Sequence, residues 1–136
     1  GVPLRVEIGP KDIEKEQCVV ARRDTGEKVF VPLAELESKI KELLDAVHDN
    51  MYAMALKNRE DNTFDIKYPA EAKAIAEGKG GFLRSKWCGA LECEMAMKEQ
   101  AGVTSRCMPL EQSGTEDVCP VCGKPCKTDI YWGVAY

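Results

Sequence analysis

Residues 119–123 read CPVCG, and residues 87–93 read WCGALEC. In CPVCG, proline restricts the backbone after the first cysteine, and Gly123 can adopt a positive φ. Such a turn directs both thiols to one point. A structural zinc site needs four thiolate or imidazole ligands in a tetrahedron, and two cysteine pairs supply them. The pattern favours one structural metal site with these four ligands: Cys88, Cys93, Cys119 and Cys122.

Other uses of the paired cysteines stay open at this point. The chain has seven cysteines and one histidine. A disulfide framework is the first alternative, but without a visible signal peptide we expect a reducing compartment, where metal ligation is more common. A thioredoxin-like redox centre is the second, but its CxxC begins a helix after a strand. Here CPVCG is predicted to lie in a turn between a loop and a strand.

The remaining cysteines and the histidine have simpler predicted roles. Cys18 lies in an apolar strand and is predicted to be a small core residue. Cys107 lies on a predicted strand and is expected to pack inward. Cys126, four residues after Cys122, is the one plausible substitute ligand. His48 belongs to a long helix, where we expect a surface position rather than metal ligation.

The first forty residues have the pattern of strands followed by a helix. Leu4, Val6 and Ile8 alternate with charged residues, which predicts a half-buried strand. Residues 17–32 are rich in β-formers around the turn sequence DTGE, which predicts a hairpin. The basic residues of this hairpin are therefore expected near one of its ends: Arg22, Arg23 and Lys28.

A long helix is predicted from residue 33 to about residue 59. Apolar residues recur there at intervals of three and four, which predicts a core-facing stripe: Leu36, Ile40, Leu43, Val47, Met51 and Met54. We expect this helix to link two modules, with the boundary near residues 60–68.

The second module is predicted to be α+β. Helices are expected from Pro69 to Gly78 and over the segment ending at Gly102, because proline at the start and glycine at the end are typical of helices. Strands are expected before Cys88, at residues 103–110, and at the carboxyl end, where alternation predicts pairing nearly to Tyr136.

Composition limits the function classes. The chain has 136 residues, is 44% hydrophobic and carries a formal net charge of −4. No run of eighteen apolar residues exists, so no membrane span is predicted. The negative charge argues against indiscriminate nucleic-acid binding, while ARRDTGEK at residues 21–28 forms a local basic patch. Because the chain begins with Gly1 and an apparent strand, we expect it to be cut from a longer, cytoplasmic polypeptide.

An ordered set of motifs resembles one family over essentially all 136 residues. The motifs are GVPLRVEIGPKD at the start, RRDTGEK, WCG followed by ECE, RCMP, CPVCGKP and a terminal GVAY. This set is similar to the C-terminal part of prolyl-tRNA synthetases of the archaeal and eukaryotic type, which some bacteria also possess. No single motif is decisive, but their order is highly specific.

The resemblance implies a mixed α+β arrangement of three segments. Residues 1–40 would be the C-terminal half of an anticodon-binding domain, residues 33–62 a linking helix, and residues 65–136 a small zinc-binding domain. The four paired cysteines match the family's zinc ligands. The class II catalytic domain, which binds ATP, magnesium and proline, would lie N-terminal in the same chain. This segment alone would be inactive, and the full-length enzyme a cytoplasmic homodimer without membrane contact.

The resemblance also implies residues that bind tRNA(Pro). Every proline codon begins with CC, so each matching anticodon contains two guanines, whose O6 and N7 atoms accept hydrogen bonds from Arg or Lys. The family's guanine-contacting residues correspond to Arg5 and Lys28, while Arg22 and Arg23 are expected to hold backbone phosphates. An acidic partner would precede Gly1. The terminal Tyr136 would face the active site.

Two other functions stay open. The segment can be a self-standing zinc module that binds a protein partner, although a strand at residue 1 disfavours this. It can also belong to a threonyl, glycyl or histidyl synthetase with similar anticodon chemistry, although those families do not usually end in this zinc domain.

Overall fold

The computed structural model describes residues 1–135 of the chain. These residues divide into two units, the first from Gly1 to Asn58 and the second from Arg59 onward. Each unit combines helices with β-strands, so the predicted α+β class is confirmed. Within the described residues, no helix is both long and apolar enough to cross a lipid bilayer.

The first unit consists of a three-stranded antiparallel sheet and one long helix. A 3-10 turn precedes that helix, and the elements in chain order are β1 (Leu4–Glu7), α1 (Pro10–Glu14), β2 (Gln17–Arg22), β3 (Lys28–Pro32) and α2 (Leu36–Asp61). The strand order is β1–β2–β3, with β2 and β3 forming the predicted hairpin. In its turn, Gly26 has a φ of +74°, which suits glycine.

The core of the first unit lies between one face of this sheet and α2. It contains Leu4, Cys18, Val20, Val31, Leu43 and Val47. Cys18 is buried, as predicted, but Met51 and Met54 are 59% and 58% exposed, so their prediction as core residues is wrong. A 26-residue helix is roughly 39 Å long, whereas a strand of four to six residues spans about 13–20 Å. The helix therefore extends beyond the sheet that covers its apolar stripe.

The second unit is a four-stranded mixed sheet with two helices and a small hairpin. Its elements are β4 (Thr63–Asp65), α3 (Pro69–Glu77), β5 (Phe82–Trp87), α4 (Leu91–Ala101), β6 (Thr104–Cys107), β7 (Asp117–Val118), β8 (Pro125–Cys126) and β9 (Thr128–Gly133). The sheet order is β4–β5–β9–β6, in which β4 and β5 pair in parallel while β9 pairs antiparallel with β5 and β6. The sequence did not predict β4, because three residues are too few to show alternation.

Trp132 lies at the centre of the second core. Its side chain is fully buried, and its Nε1–H donates a hydrogen bond to Ser85 Oγ at 2.9 Å. The other buried members come from the sheet and both helices: Ile66, Ala72, Leu83, Met97, Ala101, Val103 and Ile130. At the start of β5, Gly81 has a φ of +117°, and a Cβ there would lie 2.4 Å from the carbonyl oxygen of Asn62. Only glycine allows this close approach of the two chains.

A buried ion pair holds the segment between β6 and β7 onto the sheet. Lys86 Nζ lies 2.6 Å from Asp129 Oδ1, and both side chains are nearly inaccessible. The backbone N–H of Ser113 donates to Asp129 Oδ2 at 2.6 Å, while Lys86 donates to Ser113 Oγ at 2.6 Å and to the Lys127 carbonyl at 3.2 Å. Both charges are therefore paired and hydrogen-bonded, as buried charges need to be.

Two details of the sheet differ from the sequence-based prediction. β9 ends at Gly133 rather than close to the terminus, because Gly133 faces Thr104, the first residue of its partner β6. The pairing of β6 with β9 also has a bulge between Ser105 and Cys107. An extra residue shifts the in–out alternation of a strand. Cys107 is accordingly exposed, so its predicted inward packing is wrong.

Candidate metal centre and nucleic-acid interface

The two cysteine pairs are brought together by three different elements. Cys88 directly follows β5, and Cys93 lies in the first turn of α4. Cys119 and Cys122 lie in the turn that joins β7 to β8. In this turn Gly123 has a φ of +69°, and its N–H donates to the Cys119 carbonyl at 2.9 Å. The predicted positive φ of Gly123 is confirmed.

The four sulfurs have the spacing of a tetrahedral metal site. All four Sγ atoms lie within 4.8 Å of one another. The Sγ of Cys88 lies 3.6 Å from that of Cys93 and 3.7 Å from that of Cys122. Metal–sulfur bonds of about 2.3 Å in a tetrahedron separate the sulfurs by about 3.8 Å, whereas a disulfide needs about 2.05 Å. All four are free cysteines, and together they can hold a metal ion.

The clustered thiols influence one another's pKa values, as expected for a group that shares one cation. Burial raises the pKa of Cys93, and the neighbouring sulfurs of Cys88 and Cys122 raise it further. Burial also acts to raise the pKa of Cys119, but backbone N–H groups, among them those of Cys122 and Val121, outweigh it and lower the pKa to about 7. Four thiolates this close repel one another unless a positive ion lies among them.

Cys126 and His48 are not members of the four-sulfur cluster found among the described residues. Cys126 lies on β8 and is partly buried. His48 lies on α2, and its side chain is 81% exposed, which confirms its predicted surface position.

Arg5 and Lys28 lie in one row across the three-stranded sheet. Arg5 on β1 is opposite Ala21 on β2, which is opposite Lys28 on β3. Directly opposed residues point to the same face of a sheet, and this is the face turned away from α2. Their side chains are 69% and 54% exposed. The structure therefore places the two predicted guanine-contacting residues on one face of the sheet, on either side of Ala21.

Arg5 and Lys28 are joined by Glu7, which the sequence analysis missed. Arg5 Nε donates to Glu7 Oε1 at 2.8 Å, and Lys28 Nζ donates to Glu7 Oε2 at 3.1 Å. Glu7 lies two residues after Arg5 on β1, so the two-residue period of a strand places both on the same face. The two-residue spacing of Arg5 and Glu7 was the sequence feature from which their proximity could have been predicted.

A cavity of about 570 Å³ adjoins this row, and Arg5, Arg22, Arg23 and Lys28 contribute to its wall. Arg23 is exposed there. Arg22 is only 12% exposed, and it donates to Asp24 at 2.6 and 3.1 Å and to the Ala46 carbonyl at 3.3 Å. Its visible role is to tie the hairpin turn to α2, so Arg23 is better placed than Arg22 for a phosphate.

Asp24 receives a second hydrogen bond from α2. Asn50 Nδ2 donates to Asp24 Oδ2 at 2.8 Å. The hydrogen bonds from Arg22 and then Asn50 outweigh the opposing effect of burial, and they lower the pKa of Asp24 to about 2. The hairpin end that carries the predicted tRNA-binding residues is therefore fixed to the helix.

Two family models match the chain. A model described as prolyl-tRNA synthetase, C-terminal, matches residues 69–136, and a model described as anticodon binding domain matches residues 1–43. The chain belongs to the prolyl-tRNA synthetase C-terminal family.

Relatives of this synthetase segment match it from end to end. A proline–tRNA ligase of Clostridium novyi is 52% identical over all 136 residues, which are 28% of that relative. Proline–tRNA ligase 2 of Bacillus cereus strain ZK / E33L is 48% identical over 100% of this chain and 29% of its own length. A proline–tRNA ligase of Oceanobacillus iheyensis is 51% identical, with 28% of its length covered. The chain thus spans less than a third of these curated relatives.

One predicted site of the prolyl-tRNA synthetase segment lies outside the described residues. It is Tyr136, expected to face the active site. The described chain before it, Val134 and Ala135, is exposed beyond the end of β9.

Proposed function

We propose that this segment reads the anticodon of tRNA(Pro) as part of a proline–tRNA ligase. The observation that carries the proposal is the row of Arg5 and Lys28 on an exposed sheet face beside the 570 Å³ cavity. The match to an anticodon-binding model over residues 1–43 and the names of the relatives support it.

The chemistry of this row suits guanine. Anticodon bases are unstacked, so a protein can reach all their edges. Guanine presents O6 and N7 as adjacent acceptors, and Arg and Lys are their usual donors. Arg5 and Lys28 provide such donors on one face, while Arg23 at the rim of the cavity is placed to bind a phosphate.

Replacement of Arg5 by alanine in the full-length enzyme is expected to relax anticodon specificity. A bidentate Arg–guanine contact is worth about 1–3 kcal/mol of discrimination. We therefore expect kcat/KM for tRNA(Pro) to fall, while kcat/KM for transcripts with one anticodon guanine replaced falls much less. Aminoacylation kinetics on both kinds of transcript measure the difference.

Lys41→Ala is the matched control, because it removes one positive charge from an exposed position of α2. It should leave the preference for guanine unchanged. Arg23→Ala should weaken binding of all transcripts by a similar factor, because phosphate contacts do not read sequence. If Arg5→Ala has the kinetics of the wild-type enzyme on every transcript, the assignment of Arg5 fails.

We further propose that the metal held by the four cysteines is zinc and that its role is structural. Four sulfur ligands with tetrahedral spacing are typical of structural zinc, and they leave no coordination position for a substrate. The spacing of Cys88, Cys93, Cys119 and Cys122 supports this proposal. Zinc would join β5, α4 and the β7–β8 turn at one point.

The chemical step is assigned to another part of the same polypeptide. Since the chain spans only 28% of the Clostridium novyi relative, most of such an enzyme lies outside this segment. We propose that a class II catalytic domain N-terminal to it binds ATP, magnesium and proline, and that the full-length enzyme is a cytoplasmic homodimer. The alternative function, a self-standing zinc module that binds a protein partner, is not supported by any of these observations.

A further inference from the structure

The second half of α2 carries a run of six apolar residues, MYAMAL, at positions 51–56. Met51 and Met54 are more than half exposed, and Tyr52 is 66% exposed. The two alanines of the run are exposed as well, and Leu56 is half-buried. Polar and charged residues flank the run on both sides. We call residues 51–56 the apolar collar of α2.

The collar is apolar around the whole helix. Six residues make about one and a half turns of an α-helix, so their side chains point in all directions. In the first half of α2, by contrast, Leu43 and Val47 lie in one stripe that the sheet buries. A helix that is apolar all round is normally buried, and consecutive exposed apolar residues indicate a binding surface. The collar therefore calls for a partner that covers it.

The part of the enzyme outside this segment is the partner that the comparisons favour. The chain spans only 28% and 29% of the first two relatives, and a model described as C-terminal matches its second unit. Most of such an enzyme therefore precedes this segment on the same polypeptide. A tethered domain acts at a high effective concentration, so it covers a nearby surface more readily than a free protein does.

We propose that the apolar collar is the docking surface for the N-terminal catalytic domain of the same polypeptide, and that it positions the tRNA-binding hairpin relative to that domain. This inference rests on the proposed function, which supplies the catalytic domain. The collar carries no charge, so it suits an apolar groove. Methionine adapts its flexible side chain to such a groove, and methionine and tyrosine are both enriched at interfaces.

Asn50, the residue before the collar, connects it to the hairpin. Asn50 Nδ2 donates to Asp24 Oδ2 at 2.8 Å and lies 3.5 Å from Met54 Sδ. Arg22 binds the same aspartate and also donates to the Ala46 carbonyl, one turn earlier in α2. The hairpin end is thus fixed to α2 directly beside the collar. Docking of the collar would therefore set where a bound anticodon lies relative to the catalytic domain.

Oxidation of methionine by hydrogen peroxide tests whether the collar is covered in the full-length enzyme. Mass spectrometry gives the oxidation rate of each methionine. Because oxidation follows exposure, Met51 and Met54 should react roughly tenfold more slowly in the native enzyme than in the urea-unfolded enzyme. If both react as fast in the native as in the unfolded enzyme, the collar is bare and the inference is overturned.

A photo-cross-linking residue, p-benzoylphenylalanine, placed at Tyr52 of the full-length enzyme identifies the partner. Cross-linked peptides should come from the catalytic domain that precedes this segment. Enzyme assembled from isotopically heavy and light copies separates links within one polypeptide from links between two. Links that join heavy to light copies, or that reach only residues 1–136, overturn the inference.

The double variant Met51→Gln with Met54→Gln tests the positioning role. Glutamine has nearly the helix propensity of methionine, so α2 should keep its structure. We expect kcat/KM for tRNA(Pro) to fall by roughly 10- to 100-fold, because a small misplacement far from the chemistry can cost this much. Proline-dependent exchange between ATP and pyrophosphate, which needs only the catalytic domain, should stay at the wild-type rate.

Met95→Gln is the matched control, because Met95 is 54% exposed on helix α4 and has a glutamate before it in place of an apolar run. It should have wild-type values in both assays. If the double variant charges tRNA(Pro) like the wild type, or loses both activities equally, the inference is overturned. The proposed function fails separately, if the wild-type full-length enzyme shows no proline-dependent exchange.

Discussion

Replacement of Cys119 by serine is expected to release the metal and to destabilise the second unit by about 4 kcal/mol or more, because loss of a structural metal is among the most costly single changes. Cys119 is the most buried of the four clustered cysteines, at 1% exposure. Its loss would leave three crowded thiols without a complete tetrahedron. The wild-type protein, purified without chelator, should contain about one zinc ion per chain. Elemental analysis and thermal unfolding measure both effects.

Cys107→Ser is the matched control, because this cysteine is exposed and lies outside the four-sulfur cluster. The Cys107→Ser variant should have the zinc content and the unfolding temperature of the wild-type protein. Cys126→Ser tests the one substitute ligand, and we expect full zinc content there too. A Cys119→Ser protein with wild-type zinc content and stability would contradict the four-cysteine site, as would a disulfide between any two of the four in the reduced protein.

Replacement of Asp129 by asparagine is expected to lower the free energy of unfolding by about 3–5 kcal/mol, because it leaves the buried charge of Lys86 without its partner. Asparagine keeps the size of the side chain, so little of this cost comes from a cavity. The double variant Lys86→Met with Asp129→Asn should lose less than the sum of the single variants. Chemical denaturation of all four proteins measures the coupling.

The same pair predicts a dependence of stability on pH. Burial acts to raise the pKa of Asp129, but the Lys86 hydrogen bond and then those from Ser113 outweigh it and lower the pKa to about 2. A carboxyl group with a lowered folded-state pKa stabilises the protein above its unfolded pKa of about 4. This contribution should be lost as the pH falls from about 4 to about 2. In Asp129→Asn, this part of the acid sensitivity should be missing.

The exposed pair between Arg84 and Asp65 provides the control. Its atoms approach to 2.6 Å, like those of Lys86 and Asp129, but the two side chains are 47% and 71% exposed. Asp65→Asn is therefore expected to cost less than about 1 kcal/mol. If Asp65→Asn and Asp129→Asn lower the free energy of unfolding equally, burial does not set the strength of these two ion pairs.

Local signals were sufficient for most elements and for the four cysteines that could hold a metal ion. Helix α3 follows from Pro69 at its start and Gly78 at its end, and the β2–β3 hairpin follows from DTGE between two runs of β-formers. The cysteine spacing of CPVCG indicated a turn in which both sulfurs meet. These features depend on residues close in sequence, whose conformational preferences act without the rest of the fold.

Contacts between distant residues decided what the sequence analysis missed. Met51 and Met54 continue the apolar stripe of α2, but their burial depends on the length of the sheet, which no helix pattern contains. Cys107 alternates as an inward residue until the bulge in β6 shifts the register against β9. The pairing of Lys86 with Asp129 joins residues of β5 and β9, which only the strand order brings together.

The amino-acid sequence by itself determined the types of elements, the four cysteines that cluster and the basic residues of the hairpin, because periodicity, turn residues and cysteine spacing are local. Only the tertiary structure decided that Glu7 lies between Arg5 and Lys28. The antiparallel register that sets Arg5 and Lys28 on either side of Ala21 is a property of three strands together. Lys28 on β3 then reaches across β2 to Glu7 on β1, while Arg5 contacts Glu7 along its own strand.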